Sequence, residues 1–375
     1  DLVTGFAVGT NQFYKDIDHN EMFEFREVHW VNQPTHLAKN DNKAAVIQLK
    51  NALQQNPDLA EARFLLGSAL LESGDAQGAQ VEFRKALSLR YPLDAVVPQL
   101  TRAMLALNQA QKLIDEFGET KLEKADAQAA LKSSLSTAYG QIGKPEQAKE
   151  LLAEALAIDP ENVTARLADI RIALANNDQE TGKQKLDALL AKYPNNPDAL
   201  VISGTLLASQ GDHTAALGQF KKSIDAKPSF LAAHSAAIST LIAQKKLDDA
   251  GGQLEALKKV APKHPRTLFL DAQLKYQRGD FKGARETTQQ LLKLTPNDPL
   301  SLQLAGIIEY QLRSNLQAQT YLSKALQAAP GLTLARRVLA ATYLRAGQPA
   351  TALEALRPAL GNSSQDSALL ALAGE

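Results

Sequence analysis

Apolar and small residues recur along most of the chain at spacings of three and four, in two short runs separated by a turn. The stretch that ends at Pro228 has the runs Leu200, Gly204, Leu207 and then Ala216, Phe220, Ser223. Because an α-helix turns once every 3.6 residues, each run places its members on one helix face. Gly211 stands between the runs, where a residue that tolerates positive φ ends a helix. The pattern predicts two short antiparallel helices.

This pair of runs repeats with a fixed period. Six prolines stand 34 residues apart without a slip: Pro160, Pro194, Pro228, Pro262, Pro296 and Pro330. The same frame fits an earlier copy that starts near Ala60 and a later one that starts before Leu339. A period of this length is what two helices and their turns occupy, and it indicates a stacked-repeat architecture. Such arrays hold partners on their surfaces and seldom carry out chemistry.

Numbered from Pro197, the recurring residues stand at positions 4, 8, 11, 20, 24, 27 and 32 of the unit, a pattern that resembles tetratricopeptide repeats. The resemblance covers residues 36–375. It implies an all-α fold, a right-handed α-α superhelical solenoid of about nine to ten helix pairs.

Two segments depart from the repeat, and a third extends it. The sequence of residues 93–128 predicts a degenerate repeat. Its second helix is shortened to about Gln109–Phe117 and is followed by a charged loop. The alternative interpretation of this segment is a functional hinge. Residues 1–35 have no repeat signal, and they are interpreted as a cap over the first repeat, a foreign appendage or a flexible arm. Residues 367–373 read as the first helix of a further repeat, so we expect a longer protein.

Composition and residue spacing argue against several classes of function. The 41 basic residues equal the 41 acidic ones, which argues against a nucleic-acid binder. Cysteine is absent, no apolar run is long enough to span a bilayer, and the six histidines show no helical ligand spacing. The segment Gly140–Lys144 resembles a phosphate loop, but Pro145 replaces the required Ser or Thr. We therefore expect a non-enzymatic protein with no metal and no cofactor.

The resemblance implies where a partner would bind. In tetratricopeptide arrays positions 2, 5, 9, 12 and 13 of the first helices point into a groove. Towards the C-terminus this rule selects Arg266, Phe269, Gln273, Tyr276, Gln277, Gln303, Tyr310, Gln311, Arg337 and Arg345. Aromatic rings beside amides and guanidinium groups suit a protein or peptide partner, or a polysaccharide. The alternative is that the two tyrosines only pack between first helices.

A second resemblance concerns the cellular setting. The segment Ala45–Pro57, running into Ala60–Gly67, resembles the tetratricopeptide lipoproteins of bacterial exosortase (PEP-CTERM) systems. That resemblance implies export, a periplasmic or outer-membrane location, lipid anchoring and a link to exopolysaccharide production. The leading hypothesis is thus a binding scaffold in a bacterial envelope assembly. The alternative is a cytoplasmic adaptor that binds a peptide or helix of a partner protein.

Overall fold

The structure, a computed structural model, describes residues 42–360, and all regular elements within them are α-helices. The predictions for residues 1–35 and 367–373 lie outside the described residues. The helices are α1 Asn42–Gln55, α2 Ala60–Glu72, α3 Ala76–Ser88, α4 Leu93–Ala106, α5 Ala110–Phe117, α6 Ala125–Gln141, α7 Pro145–Ile158, α8 Val163–Ala175, α9 Gln179–Lys192, α10 Pro197–Ser209, α11 His213–Ala226, α12 Leu231–Ala243, α13 Leu247–Val260, α14 Pro265–Gln277, α15 Phe281–Leu294, α16 Pro299–Gln311, α17 Asn315–Ala328, α18 Thr333–Arg345 and α19 Pro349–Leu360.

Within each of the two compact units given below, consecutive helices pack as pairs and each pair packs on the next, which confirms the predicted all-α fold of stacked helix pairs. The six periodic prolines all stand two residues after the end of a second helix. The described part of the chain divides into two compact units. Unit 1 comprises the described residues of Asp1–Ala199 with Lys227–Ser229. Unit 2 comprises the described residues of Leu200–Ala226 and Phe230–Glu375.

Local chemistry sets the helix starts. Asp280 and Asp298 are N-cap residues, and their side chains accept from the backbone N–H groups of Gly283 at 2.9 Å and Ser301 at 2.7 Å. Each bond satisfies one N–H that lacks a partner inside the helix. Pro299 occupies the first position of α16, where its missing N–H costs nothing.

The turn inside each pair contains a residue with positive φ, between 55° and 87°. Glycine and larger residues alternate there along the chain: Gly74, Asn108, Gly143, Asn177, Gly211, Lys245, Gly279, Arg313 and Gly347. The positive φ predicted at Gly211 is thus confirmed. Lys245 and Arg313 adopt a left-handed conformation that costs a residue with a Cβ about 1 kcal/mol or more.

Within each unit the core lies between the two helices of each pair and between neighbouring pairs. In unit 2, Phe220 of α11 is buried against Gly204 of α10, so closely that a methyl group on Gly204 would clash with its ring. In unit 1, Phe83 and Gly67 repeat the arrangement, with the ring 2.7 Å from where a Cβ would stand. Small residues at these sites let paired helices approach closely.

Candidate functional site

The ten residues selected from the sequence lie on α14, α16 and α18, the first helices of three successive repeats of unit 2. α16 contacts both α14 and α18 directly. At 100° per residue, positions 2, 5, 9, 12 and 13 fall within roughly 100° of helix circumference, so on each helix they share a face. Four are exposed, and the others are half-buried: Phe269, Gln273, Tyr276, Gln303, Tyr310 and Arg337. We call this surface the first-helix face.

Tyr276 connects two repeats. Its hydroxyl accepts a hydrogen bond from Nε2 of Gln311 at 3.2 Å, and its ring centroid lies 5.5 Å from that of Phe281. The ring also packs against the buried cluster that contains Ala272 and Ile308. Tyr276 therefore contributes to packing, while Gln277, the residue beside it on the same face, is exposed.

The guanidinium group of Arg345 stacks on the ring of Tyr310. Cζ of Arg345 lies 3.8 Å from the ring centroid, within the range of a cation–π contact. Nε of Arg345 donates to Oδ1 of Asn315 at 2.9 Å. Within residues 42–360 its two η nitrogens make no further hydrogen bond, and the side chain is exposed. Arg345 is held in place with two donors available, the arrangement that binds a carboxylate in bidentate fashion.

Gln303 has a structural use that the sequence did not indicate. Its Oε1 accepts from the backbone N–H of Ala335 at 3.1 Å. Leu332, the N-cap residue of α18, has no side chain that could do this, so Gln303 caps the helix from the preceding repeat. Its role in partner binding stays a prediction.

Arg266 lies at the other end of the first-helix face. Its Cζ is 5.5 Å from the ring centroid of Phe269, and Nη2 donates to Oγ of Ser239 at 3.4 Å. The backbone N–H of Arg266 donates to Nδ1 of His264, the N-cap residue of α14. Burial, and secondly the charge of Arg266, hold the pKa of His264 below its usual value. Neutral His264 is the form that accepts this bond.

The accessible charged side chains on the first helices of unit 2 all have the same sign. α10 from Leu200 onwards and α12 carry no ionisable residue except His234. On α14, α16 and α18 the two acidic residues, Asp271 and Glu309, are 9% and 6% exposed. The accessible charged residues of these helices are all basic: Arg266, Lys275, Arg336, Arg337 and Arg345. A chain with no net charge thus presents a basic first-helix face.

Both buried acids are neutralised by cations. Asp271 lies 3.3 Å from Nζ of Lys258 and 3.2 Å from Nζ of Lys275. Glu309 accepts a bidentate pair from Arg285 of the preceding second helix, with Nε at 2.9 Å. Sequence reasoning missed these groups. The available signal was position 11, which is apolar or tyrosine in other repeats but holds Lys275 and Glu309 here.

Between residues 42 and 360 no three His, Asp or Glu side chains come close enough together to hold a metal ion. None of the helices in that range combines the length and apolarity that a membrane span requires.

The chain is similar to known tetratricopeptide repeat proteins. Two family models described as tetratricopeptide repeat match the chain, at residues 34–91 and 142–201. A tetratricopeptide repeat protein from Parabacteroides merdae superposes with a TM-score of 0.50 at 14% identity, over 71% of this chain and 97% of that one. This structural likeness shows the fold alone. The two matched segments are thus similar to tetratricopeptide repeats, and the 34-residue period of the prolines continues beyond them.

Two curated relatives are similar in sequence. Cellulose synthase operon protein C of Pseudomonas fluorescens is 29% identical over 194 residues, which is 48% of this chain and 15% of the relative. Signal recognition particle subunit SRP72 of Caenorhabditis elegans is 23% identical over 357 residues, 74% of this chain and 56% of the relative. The chain thus spans between a seventh and little more than half of these proteins.

Proposed function

We propose that this chain of tetratricopeptide repeats is a non-catalytic scaffold that holds a protein partner on the first-helix face of unit 2, within a bacterial envelope assembly linked to exopolysaccharide production. The observation that carries the binding part is the basic, carboxylate-free character of that face. Tetratricopeptide proteins are typically non-catalytic binding scaffolds, and the array here supplies rigid helices on which side chains keep fixed positions.

The chemistry of the face favours a partner segment that carries carboxylates. Arg266 and Arg345 are exposed, and the acids that could neutralise the face internally, Asp271 and Glu309, are already paired beneath it. Arg345 is stacked on Tyr310 and bonded to Asn315, so little side-chain entropy is lost when it binds a carboxylate.

A polysaccharide is less well served by this geometry. Sugar rings stack on open aromatic faces, but Arg345 covers a face of Tyr310, and Tyr276 packs against Phe281 and the core. We therefore propose that any link to polysaccharide runs through a protein of the same assembly.

The envelope setting rests on sequence. It is supported by the likeness to a cellulose synthase operon protein, which extends across 48% of this chain, and by the resemblance to exosortase-system lipoproteins. Mass spectrometry of the mature protein, isolated from its native cells after fractionation, tests it. A lipid-modified N-terminus in the envelope fraction supports the proposal, and an unmodified protein confined to the cytoplasm contradicts it.

Affinity capture from envelope extracts tests the binding part. The test variant is Arg266→Glu with Arg345→Glu, because both side chains are exposed and their loss opens no cavity. The matched control is Lys221→Glu with Arg357→Glu, which makes the same charge change on exposed residues of second helices. We expect the test variant to lose its protein partners and the control to retain them. Equal capture by parent and test variant would refute the assignment.

A further inference from the structure

Unit 1 contains a cavity of about 530 Å³ between α5, α6 and α7. Its origin is the length of α5, which has 8 residues, whereas the second helices α3 and α7 have 13 and 14. At 1.5 Å per residue, roughly 8 Å of helix is missing from this repeat. The cavity occupies space that a complete second helix would cover.

The chain that follows α5 does not fill this space. The backbone N–H groups of Glu123 and Lys124 donate to Oδ1 of Asp94, at 2.9 and 3.3 Å. That of Leu122 donates to Oε1 of Gln128 at 2.6 Å. The loop is thus tied to the first turns of α4 and α6. The cavity lies along the end of α5, the later half of α6 and the first part of α7.

The cavity has an apolar floor and an acidic rim. The floor is formed by Ile114, Leu135, Tyr139 and Leu151, of which only Leu135 is fully buried. The rim carries five carboxylates: Asp115, Glu116, Glu119, Glu150 and Glu154. No lysine or arginine lines the cavity. Lys144 lies above the Tyr139 ring, 5.9 Å from its centroid, but is not part of the lining.

Part of this rim charge is uncompensated. Arg84 forms a bidentate pair with Glu116 and holds the pKa of that carboxyl below its usual value, chiefly through the hydrogen bond. Lys132 pairs with Glu154. Asp115, Glu119 and Glu150 have no ion pair with the described residues, so three negative charges face the opening. They are not grouped closely enough to hold a metal ion.

We infer that this cavity binds a basic amphipathic helix of a partner protein, which takes the place of the missing turns of α5. An apolar stripe on that helix would cover Ile114, Tyr139 and Leu151, as a complete second helix does in the regular repeats. Its lysines or arginines would lay their methylene stems on the same floor and place their charges against Glu119 and Glu150. This surface differs in position and sign of charge from the first-helix face, so the inference stands apart from the proposed function.

A designed peptide tests this inference. The probe is a fluorescent 14-residue amphipathic peptide with leucines on one face and lysines beside them; a version with glutamates replacing the lysines is its control. Charge reversal by Glu119→Lys with Glu150→Lys removes two attractions and adds two repulsions, so we expect about tenfold weaker binding at low salt. The matched control Asp58→Lys with Glu180→Lys reverses two exposed carboxylates elsewhere in unit 1 and should stay within about twofold of the parent.

A filled cavity provides a second variant that keeps the rim charges. Gln147 is exposed and lines the opening, so the tryptophan side chain of Gln147→Trp should occupy the cavity. Binding of the lysine peptide should be about tenfold weaker, and the melting temperature of the protein should be unchanged. Circular dichroism should show the peptide gaining helix when bound. Arg266→Glu with Arg345→Glu should leave this binding intact, which separates it from the proposed function. The inference is wrong if either cavity variant binds like the parent, if the control reversal weakens binding equally, or if the bound peptide is not helical.

Discussion

The repeats α14–α17 of unit 2 and the repeat α4–α5 of unit 1 use the same architecture in opposite ways. In unit 2 both second helices, α15 and α17, have 14 residues and cover their neighbours, and what is distinctive is polar: two buried acids and an arginine-bearing face. In unit 1 the second helix stops after 8 residues, and what is distinctive is a gap with an apolar floor. A repeat array can therefore acquire a binding surface by substituting side chains on an intact frame, or by omitting part of the frame.

The largest expected effect compares packing in the two kinds of repeat. Phe220→Ala removes a fully buried ring from a regular repeat and should lower the free energy of unfolding by about 3–5 kcal/mol. Ile114→Ala removes a half-buried side chain from the cavity floor and should cost only about 1 kcal/mol. Urea denaturation followed by circular dichroism measures both. Equal losses would show that the shortened repeat is as closely packed as the regular one.

The second largest effect on stability is expected at Glu309, the buried acid of α16. Arg285→Met leaves Glu309 buried without its partner and should destabilise the protein by about 3 kcal/mol. Glu309→Leu combined with Arg285→Met replaces the pair by apolar groups and should return the stability to within about 1 kcal/mol of the parent. Urea denaturation measures the stability of the parent, of Arg285→Met and of the double variant. If the double variant is no more stable than Arg285→Met alone, the burial argument is wrong.

Helix boundaries, the turn at Gly211 and the proline joints could be predicted because each depends on residues within a few places of one another. Contacts between repeats could not. Gln303 bonds to Ala335, and Glu309 to Arg285, across 24 to 32 residues, and no local pattern specifies such partners. The shortness of α5 was visible in the sequence. The cavity beside it was not, because it depends on where the following loop is tied.

A smaller effect on stability is expected at the turns with positive φ, which occur in both units. Lys245→Gly relieves a left-handed backbone at the cost of a more flexible unfolded chain, and a net gain of about 0.5 kcal/mol is expected. Gly211→Ala forces a Cβ into the same conformation and should cost about 1 kcal/mol. Thermal unfolding of the two variants measures the difference. A loss of stability in Lys245→Gly would contradict the assigned turn geometry.

The smallest expected effect is the pH dependence from His264. Its pKa is lower in the folded protein, so between that value and the usual one near 6.5 the unfolded chain binds more protons. Its contribution to stability is complete above about pH 6.5 and is lost as the pH falls through the folded pKa. His264→Asn keeps an N-cap acceptor that does not titrate. The free energy of unfolding should fall less between pH 7.5 and pH 5.0 in this variant, and an unchanged slope would contradict the prediction.

The most direct test of the scaffold proposal is hydrogen–deuterium exchange of the protein with and without a partner captured from envelope extracts. The first-helix face contains the arginines, whereas α15 carries charges of both signs and α17 carries the single charged residue Lys324. We predict that the partner slows exchange in α14, α16 and α18 and leaves α15 and α17 nearly unchanged. Protection confined to α15 and α17 would contradict the account.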